Sequence, residues 1–300
     1  MFIAAIIAGA FALVRGGGDE LSIVLGQSRS APFLLAGIAA TAVGVVLGFR
    51  AWRDILTAFG MEVARPMGIR LFLAGFLGKF VPGRVWGALA QAEIGRRAGI
   101  SPARMAATFL VNFTVVLVTG GLVALLVAPA VLGTATIWLA APVLLIAAVA
   151  ARPRLVGSLV ALAARLMRRK SPDWTPSGPG LRRALLWQSL AWPISGLHVW
   201  MLAMLAGAPA PASLPVALGG FALATIAGVA AVFAPDGVGV REVVLITALS
   251  AVLPVTDAAV VAVASRVLCT VGELAAAAPM LIYANRKNGV IRHAPTAQPR

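Results

Sequence analysis

The feature that most constrains this chain is a series of long apolar runs, at about Pro32 to Phe49, Ala103 to Val127, Ala130 to Ala150, Leu185 to Ala206, Leu214 to Ala234, Val238 to Leu253 and Ala258 to Tyr283. Apolar runs of roughly 18 to 25 residues are long enough to cross a bilayer as helices. A transmembrane β-barrel needs short strands in which apolar and polar residues alternate, whereas these runs are continuous and rich in Ala, Leu, Val and Gly. A mean hydropathy of +0.95 with 12% charged residues also argues against a soluble domain. The expected fold is all-α: a polytopic helical membrane protein with about eight membrane helices. The opening stretch Phe2 to Val14 is short for a span and reads as a tilted or truncated first helix. It lacks the basic leader and small-residue cleavage site of a signal peptide.

The formal charge of +15 falls between the apolar runs rather than on one basic surface, so a nucleic-acid partner is not expected. It fits the accumulation of Lys and Arg on the cytoplasmic side of membrane proteins. The connection from Ala151 to Arg183 carries Arg152, Arg154, Arg165, Arg168, Arg169, Lys170, Arg182 and Arg183 against Asp173, and the tail adds Arg286, Lys287 and Arg292. The turns around Pro129 and from Gly207 to Pro215 carry no charge. The C-terminus is therefore expected in the cytoplasm of a bacterial-type inner-membrane protein. Leu155, Leu159, Leu162 and Leu166 recur at helical spacing among basic residues, as in a helix lying on an anionic leaflet. A Pro/Gly/Ser linker, Ser171 to Gly180, follows. One membrane domain, 1–284, is thus expected in two halves, 1–150 and 182–284, joined by 151–181, with 285–300 a disordered cytoplasmic tail.

One segment does not alternate across the membrane. From Gly60 to Arg104 the chain must start and end on the basic side, yet it holds two largely apolar limbs, Met67 to Val81 and Val85 to Ala92, around Lys79-Phe80-Val81-Pro82-Gly83-Arg84-Val85-Trp86. A hairpin that enters from the cytoplasm and turns at Pro82-Gly83 satisfies both constraints, and an amphipathic hairpin lying in the interface is the alternative. A partial echo, Phe233-Ala234-Pro235-Asp236-Gly237-Val238-Gly239-Val240-Arg241-Glu242, marks a second break that is either re-entrant or within a span.

A helix broken at membrane depth frees backbone N–H groups that attract an anion. Pro82 and Gly83 with Lys79 and Arg84, and Pro235, Gly237 and Gly239 with Arg241, are the candidate breaks and bases. Buried bases need acids, and Glu93, Glu242 and Glu273 are the candidates to hold them or to carry protons. Arg266 and Glu273, seven residues apart, share a helix face. They either join the site or pair with Glu242 and Arg241 to lock helices together. Asn112, Gln188 and Ser189 fit either a cavity wall or helix packing, and Trp86, Trp174, Trp187 and Trp192 suit interfacial anchoring. His198 and His293 lie far apart and Cys269 is the sole cysteine, so neither a metal site nor an intramolecular disulfide is expected. No phosphate-cradling loop, nucleophile elbow or acid/base dyad is legible, and no cofactor is expected.

Gly75-Phe76-Leu77-Gly78-Lys79-Phe80-Val81-Pro82-Gly83-Arg84-Val85-Trp86 with Arg97-Ala98-Gly99-Ile100-Ser101, and then Pro235-Asp236-Gly237-Val238-Gly239-Val240-Arg241-Glu242 followed by Arg266 and Glu273, resemble the two motif blocks of the lysylphosphatidylglycerol synthase transmembrane-region family of flippase-like proteins. The resemblance covers nearly the whole chain. It implies a polytopic helical fold with two re-entrant segments, and movement of a polar-headed lipid between leaflets. Bifunctional relatives carry a soluble aminoacyltransferase domain after this region. Here a short polar tail follows Tyr283, so aminoacyl-lipid synthesis is not expected. Val111-Asn112 stands where many relatives carry an acid. The expected activity is a flippase for an anionic or polar-headed lipid, of phospholipid, glycolipid or polyprenyl-phosphate type, without ATP hydrolysis. The alternative is a membrane scaffold that recruits an envelope-synthesis enzyme through the basic helix. Membrane lipids are the expected partners, with a second copy of the chain or such an enzyme also open.

Overall fold

A computed structural model describes residues 30–81, 85–138, 140–141, 143–144, 177–231 and 234–287. The regular structure of these residues is entirely helical: α1 Ser30–Ala58, α2 Arg65–Leu77, α3 Val85–Arg97, α4 Pro102–Ala124, α5 Ala128–Leu132, α6 Gly178–Leu205, α7 Ala210–Ala230, α8 Val240–Leu249 and α9 Val255–Lys287, with short 3₁₀ turns at Gly78–Phe80, Gly133–Ala135 and Pro235–Gly237. Among them α1, α4, α7 and α9 are long and apolar enough to cross a membrane by length and composition. α6 has 28 residues, enough to span, but interrupts its apolar sequence with Gln188, Ser195 and His198. Phe2 to Val14, the basic helix and most of the linker expected between Ala151 and Arg183, and the tail after Lys287 lie outside the described residues.

Small residues set the closest helix contacts, as in membrane bundles where packing replaces the hydrophobic effect. α1 and α6 run antiparallel in close contact, because a methyl group on Gly44 would sit 1.9 Å from Ser195 Oγ. At one end of this pair Ser177 N donates to Ala58 O (2.9 Å), Arg183 meets Asp54 (3.4 Å) and Arg50 lies 5.1 Å above the Trp187 ring. Arg70 on α2 donates to Asn285 on α9 (2.9 Å) at the same end, near Arg286 and Lys287. Arginines separated widely in sequence therefore gather at one end of the bundle, called here the basic end.

α2 and α3 form a hairpin whose limbs rise from the basic end. Pro66 in the first turn of α2 fixes a helical φ where no hydrogen bond is lost. Glycines then let the limbs touch backbone to backbone: a methyl group on Gly78 would lie 2.4 Å from Gly87 Cα. Buried Gln91 donates to Leu71 O (3.0 Å) and ties the limbs lower down. At 13 residues, each limb is about 20 Å long and cannot cross a hydrocarbon core of about 30 Å. Ser101 then caps α4 by accepting from Arg104 N (3.3 Å) and Pro102 opens it.

The second break has the same character from the opposite end. α7 descends, turns through Pro235–Gly237, and α8 returns antiparallel along it, with Ala248 beside Gly220 and Arg241 beside Gly228. The run Val238 to Leu253 holds only a 10-residue helix, about 15 Å, so α8 is half a span and the break is re-entrant in form. The expected run Ala130 to Ala150 is likewise interrupted, at Gly133–Ala135, where Gly133 has φ 54°. Beyond the break Val143 packs back on Gly121, and residues 145–176 lie outside the described part.

Candidate functional site

The two hairpin tips converge against the middle of α9. Lys79, in the 3₁₀ turn that ends α2, reaches Glu273 Oε1 on α9 at 2.5 Å and Asp236 Oδ1 in the second tip at 3.7 Å. Arg241, in the first turn of α8, lies 3.8 Å from Asp236 Oδ2, and Arg266 on α9 lies 3.6 Å from the same oxygen. Arg266 also donates from Nε to Glu242 Oε1 and from Nη2 to the Asp236 carbonyl (3.2 Å). Arg266 and Glu273 stand about 16 and 27 Å along α9 from Val255, which puts the cluster near the centre of that helix. Arg241, Arg266 and Glu273 are buried, the first with 5% of its surface exposed.

Local sequence explains how the second tip is shaped. Asp236 has φ 48°, a left-handed conformation that Asp tolerates better than most residues, and Gly237 follows at φ 69°. Gly237 is required twice over, since a methyl group there would also meet Gly228 Cα at 2.4 Å. Gly239 N donates to Glu242 Oε2 (2.6 Å), so the start of α8 is capped by its own carboxylate.

The cluster forms one wall of a cavity of about 250 Å³. Lys79, Asp236, Arg241 and Glu273 face it, and Thr41, Asn112, Gln188, Ser195 and Thr225 add polar groups from α1, α4, α6 and α7. Aromatic rings line it as well, those of Phe72, Phe76, Phe221 and Trp192. Two of these rings also hold cations: Lys79 Nζ is 4.5 Å from the Phe76 centroid, and Arg241 Cζ 5.3 Å from that of Phe221. Arg241 Nη2 and Arg266 Nη1 are buried without a hydrogen-bond partner.

Of the bases and acids singled out from sequence, the fold brings together Lys79, Arg241, Arg266, Glu242 and Glu273. Arg266 pairs with Glu242, but Glu273 takes Lys79 from the other half of the chain rather than Arg241. Pro82, Gly83 and Arg84 lie outside the described residues. Pro235, Gly237 and Gly239 form the second tip. Glu93 stands apart: near the basic end of α3 it accepts from Arg96 (3.0 Å) and Arg97 (2.8 Å), one turn of the same helix away. Those hydrogen bonds hold its carboxyl well below the usual range, at about 2. Asn112 and Gln188 lie on the cavity wall.

Asp236, within the second motif, carries no role in the sequence reading, yet it faces Lys79, Arg241 and Arg266 together. An acid inside a basic Pro-Gly break was the available signal. Trp192 is not an interfacial anchor; it is buried and donates from Nε1 to Thr119 Oγ1 (3.0 Å). His198 is fully buried, hydrogen-bonded through Nε2 to Ser265 Oγ (2.7 Å) and edge-on to Phe221. Among the described residues no group of three or more His, Cys, Asp or Glu side chains is arranged to hold a metal ion.

The paired breaks and their charged residues are the positions on which the family resemblance rests. The model of the family described as the lysylphosphatidylglycerol synthase TM region matches residues 2–276. The chain belongs to this family. The lysylphosphatidylglycerol synthase TM region is thus a multi-pass membrane domain in this chain, helical throughout its described regular structure, with Lys79 of the first motif block facing Asp236 of the second. No curated protein matches the sequence.

Proposed function

We propose that this membrane domain moves a lipid with an anionic or polar headgroup between leaflets, without hydrolysing ATP and without altering the lipid chemically. In this reading the protein sits in a bacterial-type inner membrane with its basic end, and its C-terminus, in the cytoplasm. One observation carries the proposal: Arg241 is buried on a cavity wall at the meeting point of two broken hairpins, with Nη2 lacking a hydrogen-bond partner. Intramembrane charge of this kind is costly and is retained where a substrate uses it.

The chemistry follows from the charge balance. Lys79, Arg241 and Arg266 face Asp236, Glu242 and Glu273, so an entering phosphate competes with carboxylates rather than meeting bare cations. Asp236 is the carboxylate that an entering phosphate competes with, because Arg241 at 3.8 Å and Arg266 at 3.6 Å share it. A phosphate oxygen bridging Arg241 Nη2 and Arg266 Nη1 gains charge-assisted bonds that offset its dehydration. Lys79 then holds the first hairpin to Glu273 while the acyl chains remain in lipid. Phospholipids, glycolipids on a lipid phosphate and polyprenyl phosphates share that phosphate, and the family name favours a phospholipid.

The test is reconstitution in liposomes containing a fluorescent phosphatidylglycerol, with an impermeant quencher outside. Label in the inner leaflet becomes quenchable with the protein and stays protected in protein-free vesicles. Protection unchanged by the protein defeats the proposal.

A further inference from the structure

Charge covers only part of the cavity wall. Thr41 of α1, Asn112 of α4, and Gln188 and Ser195 of α6 make a neutral, polar part of the same cavity. Thr41, Gly44 and Gly48 share one face of α1, and Gln188 and Ser195, seven residues apart, share one face of α6. The two glycines make room for the α6 side chains: a methyl group on Gly44 would lie 1.9 Å from Ser195 Oγ, and one on Gly48 3.8 Å from Gln188 Oε1. Thr41 is 2% exposed, and its hydroxyl oxygen is buried without a hydrogen-bond partner. The neutral part adjoins the charged one, because a methyl group on Gly272 would lie 2.7 Å from Thr41 Cβ and Glu273 is the next residue of α9.

Each of these side chains can both donate and accept: the hydroxyls of Thr41 and Ser195, and the carboxamides of Asn112 and Gln188. An acyl chain laid against them would strand them all, and a buried polar group without a partner is costly. A choline headgroup, with no O–H or N–H, would strand their acceptors. An ethanolamine ammonium only donates, so it leaves their hydrogens unmatched. It also brings a positive charge beside Lys79 and Arg241, where Asp236 and Glu273 are already ion-paired. An alcohol hydroxyl donates and accepts as these groups do, and several hydroxyls on a short carbon frame match several such groups on one wall.

We propose that this neutral part is a binding subsite for a hydroxylated headgroup, a polyol or sugar carried on the lipid phosphate, which it selects over amine headgroups. The subsite deepens the lipid-phosphate reading of the cavity and rests on it for the phosphate at Arg241. The probes are short-chain lipids with identical acyl chains, titrated calorimetrically into the full-length protein in micelles: phosphatidylglycerol, phosphatidylinositol, phosphatidylethanolamine and phosphatidylmethanol. The last has the phosphodiester charge of phosphatidylglycerol without its hydroxyls. Phosphatidylglycerol or phosphatidylinositol should bind about ten-fold more tightly than phosphatidylmethanol, the effect of one or two hydrogen bonds to the headgroup. A preference for the first assigns a glycerol-type headgroup, and for the second a sugar-like ring. Thr41→Val/Gln188→Met, close to the native volumes, should reduce the ratio to about two-fold. Equal affinity of the hydroxylated lipids and phosphatidylmethanol, tighter binding of phosphatidylethanolamine, or a native ratio in the double variant overturns the subsite. Selective binding by a protein that moves no lipid in liposomes sinks the transport reading and leaves the subsite intact. Lipid movement without selectivity sinks the subsite alone.

Discussion

Breaking the Lys79–Glu273 pair should cost unequal amounts from its two ends. Lys79→Met keeps the aliphatic stem but leaves the buried Glu273 carboxylate with the Cys269 thiol at 3.6 Å and the charge of Arg241 across the cavity wall, without an ion pair at hydrogen-bond distance. Stranding a charge that is 9% exposed falls in the range for broken buried pairs, about 3 to 5 kcal/mol. Glu273→Gln strands Lys79 less completely. Its ammonium keeps Asp236 at 3.7 Å and the rings of Phe76 and Phe80 at 4.5 and 4.9 Å, each ring worth about 0.5 to 1 kcal/mol. About 1 to 2 kcal/mol is therefore expected for Glu273→Gln. The double variant removes both charges and should recover about 2 kcal/mol relative to the sum of the single variants. Equilibrium unfolding in mixed micelles, followed by tryptophan fluorescence, measures all four proteins on one scale. Equal costs from the two ends, or a coupling energy below about 0.5 kcal/mol, would refute the pairing and the role given to Asp236.

Other consequences are simpler to check. Gly78→Leu puts a side chain where a methyl group already lies 2.4 Å from backbone, so the hairpin limbs must separate and the yield of monodisperse protein in size-exclusion chromatography should collapse. Because Arg96 and Arg97 hold the Glu93 carboxyl below its ordinary value, its contribution to stability is present above about pH 4.5 and lost as pH falls toward about 2. Glu93→Gln should accordingly remove that part of the acid sensitivity in pH-dependent melting and leave lipid movement between about pH 5 and 8 unchanged. Asp236→Asn retains tolerance of the left-handed backbone but not the charge, whereas Asp236→Gly retains only the backbone freedom; both should fold, and both should alter lipid movement in the liposome assay, if the carboxylate is what the phosphate displaces. Trp192→Phe removes the hydrogen bond to Thr119 and should lower stability by about 1 kcal/mol, less so in a Thr119→Val background.

The membrane character, the basic end and the first hairpin were legible because each depends on composition or on local charge. From Gly60 to Arg104 the loop charges leave an entering and returning hairpin among the few allowed paths, and the tight Gly78–Gly87 contact is the packing that makes it stable. The second hairpin was only half legible. Its apolar run continues to Leu253, and nothing in hydropathy distinguishes a 10-residue half-helix from a span; what ends α8 early is the return of the chain toward α9. Partner choice was the least legible, because Lys79 and Glu273 are 194 residues apart and spacing along one helix says nothing about which hairpin tip faces it. The same limit hid Asp236, whose importance lies in three bases that arrive from two other segments and its own. Trp192 misled for a different reason: an indole suits both an interface and a buried site with one acceptor, and Thr119 supplies that acceptor from α4.

In the proposed function the residues gathered at the two hairpin tips carry a lipid phosphate across the membrane. The most direct measurement is the rate of phosphatidylglycerol movement in liposomes for Arg241→Gln, set beside Glu93→Gln, a charge removal outside the cluster, at equal amounts of folded protein. Arg241→Gln is expected to abolish protein-dependent movement while Glu93→Gln retains the native rate. Native movement in Arg241→Gln would contradict it.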